Sequence, residues 1–262
     1  MAAHTTASDS VAPLHAVRFP GESAVYRQAR DELLRAEIAL RGQIETVAAQ
    51  RRALPVGGAV AQDYVFEEGT PGLDDTVIVR SVRLSELFAA GKPSLIVYSF
   101  MYGPDMLTAC PMCTALLDSL NGSAAHVIQR ANLVVVAKSP IERVRAFARE
   151  RGWNQLRLLS SAGNRYNADY RGETAAGAQM PALNVFVQNG NTVWHSYNTE
   201  LLFAPRNAGH DPRHVDSIWP LWNLFDFLPE GRGADWYPGL DYPPNVEAPS
   251  ALQLPYEKDD EK

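Results

Sequence analysis

Two cysteines occur in the 262-residue chain, and they fall within one four-residue stretch, Cys110-Pro111-Met112-Cys113. A CxxC pair that opens a helix sets its first sulfur among backbone N–H groups with no intrahelical partner. The positive end of the helix dipole there favours a thiolate. Pro111 suits the first helical position, since it has no N–H to leave unpaired. The spacing brings Cys113 within disulfide reach of Cys110. Cys110 is therefore the expected nucleophile and Cys113 the resolving thiol, which displaces a bound partner from the mixed disulfide. In this reading a redox-active disulfide, Cys110–Cys113, is the working group and no further cofactor is expected. Two cysteines are too few for a structural disulfide framework.

Other chemistry open to the same thiolates needs more residues. Zinc wants four ligands, so His126, His195, His210 or His214 would have to complete a site, and only His210 and His214, four apart, have any metal-ligand spacing. Cu(I) on both thiolates and one histidine is chemically allowed. No metal is expected on balance. A thiol peroxidase is the main alternative: in the peroxiredoxin motif a proline, a threonine and the peroxidatic cysteine follow in order, as Pro104, Thr108 and Cys110 do here. Thr108 is one residue too close, which would turn its hydroxyl away. Arg143 or Arg165 could supply a cation near the sulfur.

The elements that must position the pair can be read from apolar spacing. Tyr26, Ala29, Leu33, Ala36, Leu40, Ile44 and Val47 recur every three or four residues, predicting a long amphipathic helix over 25–54, ended by Leu54-Pro55. Its stripe would pack on the domain behind it or on a second copy of the chain, as a homodimer would need. Short strands are expected at 64–66 and 77–79, and one helical turn at 84–88. The run Ser94 to Phe100 reads as a strand covered on both faces. Leu116, Leu117 and Leu120 give the helix after the CxxC, with Asn121-Gly122 as its stop. Strands at 133–137 and 156–160 flank a helix with Ser139 as N-cap, Pro140 at its first position and Gly152 at its end. Residues 164–177 read as a polar loop. Residues 181–187 and 192–197, around Asn189-Gly190, read as a β-hairpin. A polar insertion at 200–212 precedes a closing helix at 218–228, whose Trp219, Trp222 and Phe225 read as core.

This order of strand, CxxC, helix, strand, helix, strand, hairpin and helix predicts an α/β, thioredoxin-like fold, a central mixed sheet flanked by helices. The N-terminal amphipathic helix and a C-terminal helical or loop extension are additions to it. Three regions are expected: a lead-in and helix over 1–60, the thioredoxin-like domain over 61–230, and a Pro/Gly-rich acidic tail over 231–262. In such folds the proline that starts the hairpin is cis and faces the CxxC. Pro181, with Met180, Thr108 and Pro111, is the expected substrate-binding set, and His195, Tyr166 and Asp169 could line a pocket. The insertion could roof a pocket beside the dithiol.

Composition narrows the partners. A net charge of −6 without a basic cluster gives no footprint for nucleic acid. No apolar run approaches the roughly 20 residues that span a bilayer, and the first residues show no secretory signal, so a cytoplasmic location is expected.

The motifs also resemble a known group, the bacterial thioredoxin-like family DUF899, whose members are often labelled predicted dithiol–disulfide oxidoreductases. The resemblance runs through Arg51-Arg52-Ala53-Leu54-Pro55, Tyr64-Val65-Phe66-Glu67, Leu95 to Met101, and Cys110-Pro111-Met112-Cys113 with Asp118. It continues through Gly152-Trp153, Tyr166-Asn167-Ala168-Asp169-Tyr170, Trp194-His195-Ser196-Tyr197 and Phe225 to Arg232. It implies a thioredoxin-like fold and a Cys110/Cys113 redox pair but no substrate. Ser99, where relatives would carry a histidine, and the long 200–212 insertion are departures from the pattern. The combined expectation is a thiol–disulfide oxidoreductase that acts on a disulfide protein or a small-molecule thiol and is recharged by an external reductant. Peroxidase, Cu/Zn-binding and small-molecule tailoring roles are the alternatives.

Overall fold

The apolar run at 94–100 is the central strand β3 (Ser94–Phe100), and everything that places the dithiol is built on it. In the computed structural model the described residues are 14–70, 72–73, 78–233 and 236–240. They divide into two units after Pro55. The first holds helix α1 (Ala24–Arg52), where the Ser23 side chain caps the start by accepting from the Tyr26 N–H. Arg51 and Arg52 lie in its last turn, against the negative end of the dipole.

The second unit is a seven-stranded sheet, ordered β2-β1-β5-β4-β3-β6-β7. Its strands are β1 (Val65–Glu68), β2 (Arg80–Arg83), β3, β4 (Asn132–Ala137), β5 (Leu158–Ser160), β6 (Ala182–Asn189) and β7 (Thr192–Asn198). Strands β3, β4 and β5 are parallel, and β6 returns antiparallel on the free side of β3. The crossovers are α2 (Pro111–Val127) and α3 (Ile141–Arg151). Parallel strands joined through helices, followed by an antiparallel hairpin, make the chain an α/β protein of thioredoxin-like fold.

All six β4 residues are buried, as expected for a strand covered on both faces. Alternation sends Tyr98, Phe100, Leu133, Val135 and Ala137 to one face, where they meet Cys113, Leu116 and Leu117 of α2 and Val144 of α3. Leu95, Val97, Val134, Val136 and Leu159 point to the other, toward Phe66, Tyr166 and Phe186.

Several boundaries differ from those predicted, for tertiary reasons. Helix α2 runs on through Asn121-Gly122 to Val127 because Ala124 is buried in the core. The Asn121 carboxamide, which was expected to end the helix, instead accepts from the Gln155 N–H at 2.9 Å. Pro140, and not Ser139, is the N-cap of α3. The buried Ser139 hydroxyl donates to the Gly103 carbonyl at 3.0 Å, an outlet a buried hydroxyl needs. Gly152 ends α3 as predicted, with φ 70° in the left-handed region that favours glycine. In the hairpin Asn189 still pairs with Thr192, so the two-residue loop is Gly190-Asn191, one residue later than expected.

The polar segment after β5 contains a short helix, α4 (Tyr166–Asp169), anchored by the fully buried Tyr166. Strand β2 starts at Arg80, after the predicted position, and Val77 of that expected strand lies outside the described residues. The closing helix is α5 (Pro220–Phe225), shorter than the aromatic run suggested. Trp219, just before it, is core as expected.

Candidate active site

The Cys110 N–H donates to the Met101 carbonyl at 3.1 Å, tying the cysteine to the chain as it leaves β3. The intervening connector is held by Arg143, whose guanidinium donates to the carbonyls of Gly103, Pro104, Met106 and Leu107. The same group lies over the Tyr102 ring, 4.4 Å from its centroid. Arg143 thus shapes the loop that delivers Cys110 and does not serve as a cation beside its sulfur. Arg165 pairs instead with Asp169, at 3.7 Å.

Cys110 is the N-cap of α2 and Pro111 takes its first turn, as the spacing predicted. The Cys110 carbonyl accepts from both the N–H and the hydroxyl of Thr114, which locks the first turn. Both thiols are free. Cys113 is buried at 3% exposure, whereas Cys110 is only partly covered. The two sulfurs therefore differ in access: one is reachable from solvent and the other is enclosed.

The electrostatics sharpen this division. A hydrogen bond from the Cys113 thiol, helped by the Cys113 and Met112 backbone N–H groups and by Tyr237, lowers the Cys110 pKa to about 6 against the opposing cost of burial. The same bond, together with burial, pushes the Cys113 thiol well up, so it keeps its proton. Tyr98, fully buried on β3, hydrogen-bonds Cys113 from below, and burial holds the phenol neutral. At neutral pH these opposite shifts favour a thiolate on Cys110 and a neutral thiol on Cys113. Alkylation of Cys110 by iodoacetamide, followed by peptide mass, is expected to rise with pH through a midpoint near 6, whereas an ordinary cysteine titrates near about 8.5. A midpoint in the ordinary range would contradict this.

The remaining expected residues scatter. Thr108 is exposed. Met180 and Pro181 lie just before β6, and Ala182 pairs with Ser99, so they reach the same end of β3 from which Cys110 departs. The Met180–Pro181 peptide is trans, correcting the cis expectation. The approach to β6 is set by an antiparallel bridge between Glu173 and Gln179 and by the Met180 N–H donating to the Gly172 carbonyl, and trans is the lower-energy state of an X-Pro bond.

His195 and Asp169 line a cavity of about 710 Å³ together with Tyr170, Asn184 and Glu200, while Tyr166 is buried. This cavity lies on the Phe186 face of the sheet, opposite the face that holds Cys113, so it is no part of the dithiol site. Its His195 ring is 2.9 Å from the Asn184 amide oxygen, and burial lowers its pKa. The insertion divides between two places. Leu201 and Phe203 wall this cavity, and Asp211 and Pro212 wall a smaller one, of about 180 Å³, beside Met112. Among the described residues, no three of His, Cys, Asp and Glu are grouped so as to hold a metal ion. No described helix is long and apolar enough to cross a membrane.

Sequence reasoning missed two tyrosines. Tyr98 had a signal: it sits in the strand that leads into the motif, at a position whose alternation faces α2. Tyr237, whose hydroxyl is 3.9 Å from the Cys110 sulfur, had none, being 127 residues away.

A family model described as "Bacterial protein of unknown function (DUF899)" matches residues 17–243. No curated protein matches the chain. Among solved structures, thioredoxin peroxidase I from Plasmodium yoelii is similar at 17% identity and a TM-score of 0.42, over 71% of this chain and 100% of that one. AhpC from Mycobacterium bovis is similar at 18% identity and a TM-score of 0.41, over 70% of this chain and 98% of that one. Peroxidoxin BcpB from Mycobacterium tuberculosis is similar at 20% identity and a TM-score of 0.39, over 63% of this chain and 94% of that one.

Proposed function

We propose that this chain, which belongs to the bacterial DUF899 family, is a thiol–disulfide oxidoreductase with Cys110 as nucleophile and Cys113 as resolving thiol. The observation that carries the reading is the polarised pair: a partly exposed Cys110 held as thiolate over a buried Cys113 held as thiol. The Cys110 thiolate attacks one sulfur of a substrate disulfide, forming a mixed disulfide and releasing the other sulfur as a thiolate, which takes a proton from water. Cys113 then gives up its proton and attacks the Cys110 sulfur. This closes the Cys110–Cys113 disulfide and expels the second substrate thiol with that proton. The substrate has gained two electrons, and an external thiol reductant returns two to the protein. The substrate class is a disulfide of a protein or of a small-molecule thiol. In this reading the protein works in the cytoplasm, where such reductants regenerate the dithiol.

A thioredoxin-fold peroxidase would use the same two sulfurs. The exposed Thr108 and the commitment of Arg143 to loop carbonyls give that reading less support. The test is a Cys113→Ser chain challenged with cell extract. It is expected to accumulate a mixed disulfide through Cys110 that intact mass resolves and added reductant releases, while the wild type cycles by two hydrogens. Absence of both signals would remove the proposal.

A further inference from the structure

We propose that Tyr237 is a catalytic residue of this centre, donating a hydrogen bond from its hydroxyl to the Cys110 sulfur so that the thiolate persists between turnovers. The inference deepens the redox reading above and rests on it. The contact is geometric: Tyr237 Oη and Cys110 Sγ are 3.9 Å apart, a distance at which sulfur, with its larger radius, still accepts.

Tyr237 is 53% exposed, but its neighbours tie it to α5 and the residues flanking that helix. Next to it, Trp236 packs edge-on against Trp222 and Phe225, with ring centroids 5.6 and 5.0 Å away. Upstream, the Arg232 side chain is 9% exposed and reaches Asp216 at 2.7 Å and Asp226 at 2.6 Å, and Arg213 bonds the same two carboxylates. A planar guanidinium held by two carboxylates resists rotation, which fixes the Arg232 side chain against the flanks of α5. Tyr237 also shares the wall of the cavity of about 180 Å³ with Met112 of the CxxC and with His214, so the residue whose hydroxyl approaches Cys110 also borders a space that a small group can enter.

The chemistry fits a donor. Burial and the nearby sulfurs push the phenol pKa up, so it is protonated across the near-neutral range in which Cys110 becomes a thiolate. Among the described residues, the other titratable groups facing Cys110 are Cys113 from α2 and, beneath it, Tyr98 from β3. Around the adjoining cavity stand Asp211, Arg213, His214, Asp216 and Arg232. The two arginines bond the carboxylates Asp216 and Asp226, and burial lowers the His214 pKa. Tyr237 is thus the donor that the C-terminal segment adds to those supplied by the first turn of α2.

The experiment compares the full wild-type chain with Tyr237→Phe, which keeps the ring and its packing and removes only the hydroxyl. The readout is the pH profile of Cys110 alkylation by iodoacetamide, with the limiting rate at high pH measured in the same titration. Loss of a hydrogen bond to a charged group is expected to raise the midpoint by about one pH unit, with the limiting rate at high pH not increased. A midpoint that stays put overturns the proposal. A limiting rate that rises at an unchanged midpoint also overturns it, since it would make Tyr237 only a steric cover. Neither readout requires turnover, so failure here is distinct from failure of the Cys113→Ser trap, which tests the redox reading itself.

Discussion

Replacement of Cys110 by serine is expected to abolish reaction with disulfides, lowering the rate by at least about a thousandfold. A serine hydroxyl is not ionised near neutral pH and forms no S–S bond, so the loss strikes the first chemical step. The chain has no third cysteine to substitute. Cys113 cannot take over either, since it is buried and holds its proton. The measurement is release of a coloured thiolate from an aromatic disulfide, with Cys113→Ser alongside. That variant should retain one stoichiometric burst and lose turnover. Substantial turnover by Cys110→Ser would move the nucleophile to Cys113 and invert the proposed roles.

The second large effect concerns stability. Trp153 is 1% exposed, packs edge-on against Phe100 and Phe147 at 5.6 Å, and donates from its indole N–H to Asp118 at 2.7 Å. Asp118 lies on α2 and also pairs with Arg151 at the end of α3, so the indole closes a link between the two crossover helices. Trp153→Ala removes a large ring from a packed core and leaves one carboxylate oxygen without that donor. Such truncations cost about 3–5 kcal/mol, so urea unfolding should show a drop of this size, with part of any small domain's stability consumed at once. A drop under about 1 kcal/mol, the range of ordinary surface changes, would mean that α2 and α3 are held by other contacts.

Much of this site is legible in the sequence alone. The location of Cys110 at a helix start, the fit of Pro111 beside it and the burial of the preceding strand all follow from spacing and backbone chemistry within about ten residues. The apolar periods likewise predicted β3, β4, α2, α3 and the hairpin, because each is a local pattern repeated at 2 or 3.6 residues. Their ends were less legible. Asn121-Gly122 carries a stop signal that burial of Ala124 and a bond to Gln155 override, and Ser139 has a capping side chain that Gly103 claims first.

The residues around the dithiol that come from afar belong to packing alone. Arg143 looked available to the sulfur, yet four carbonyls of the connector take it up. His195 and Asp169 were expected to line a pocket and do, and the alternation of the sheet puts that cavity on the face opposite Cys113. Tyr237 carried no signal, because a contact across 127 residues depends on where Arg232 finds its aspartates and Trp236 its aromatic partners. By itself the sequence marked Cys110 as the proposed nucleophile and Cys113 as its proposed resolving partner, since helix-end electrostatics and CxxC spacing are properties of adjacent residues. The tertiary structure alone decided which groups surround that atom, because side chains far apart in sequence meet only where burial of their apolar neighbours brings them together.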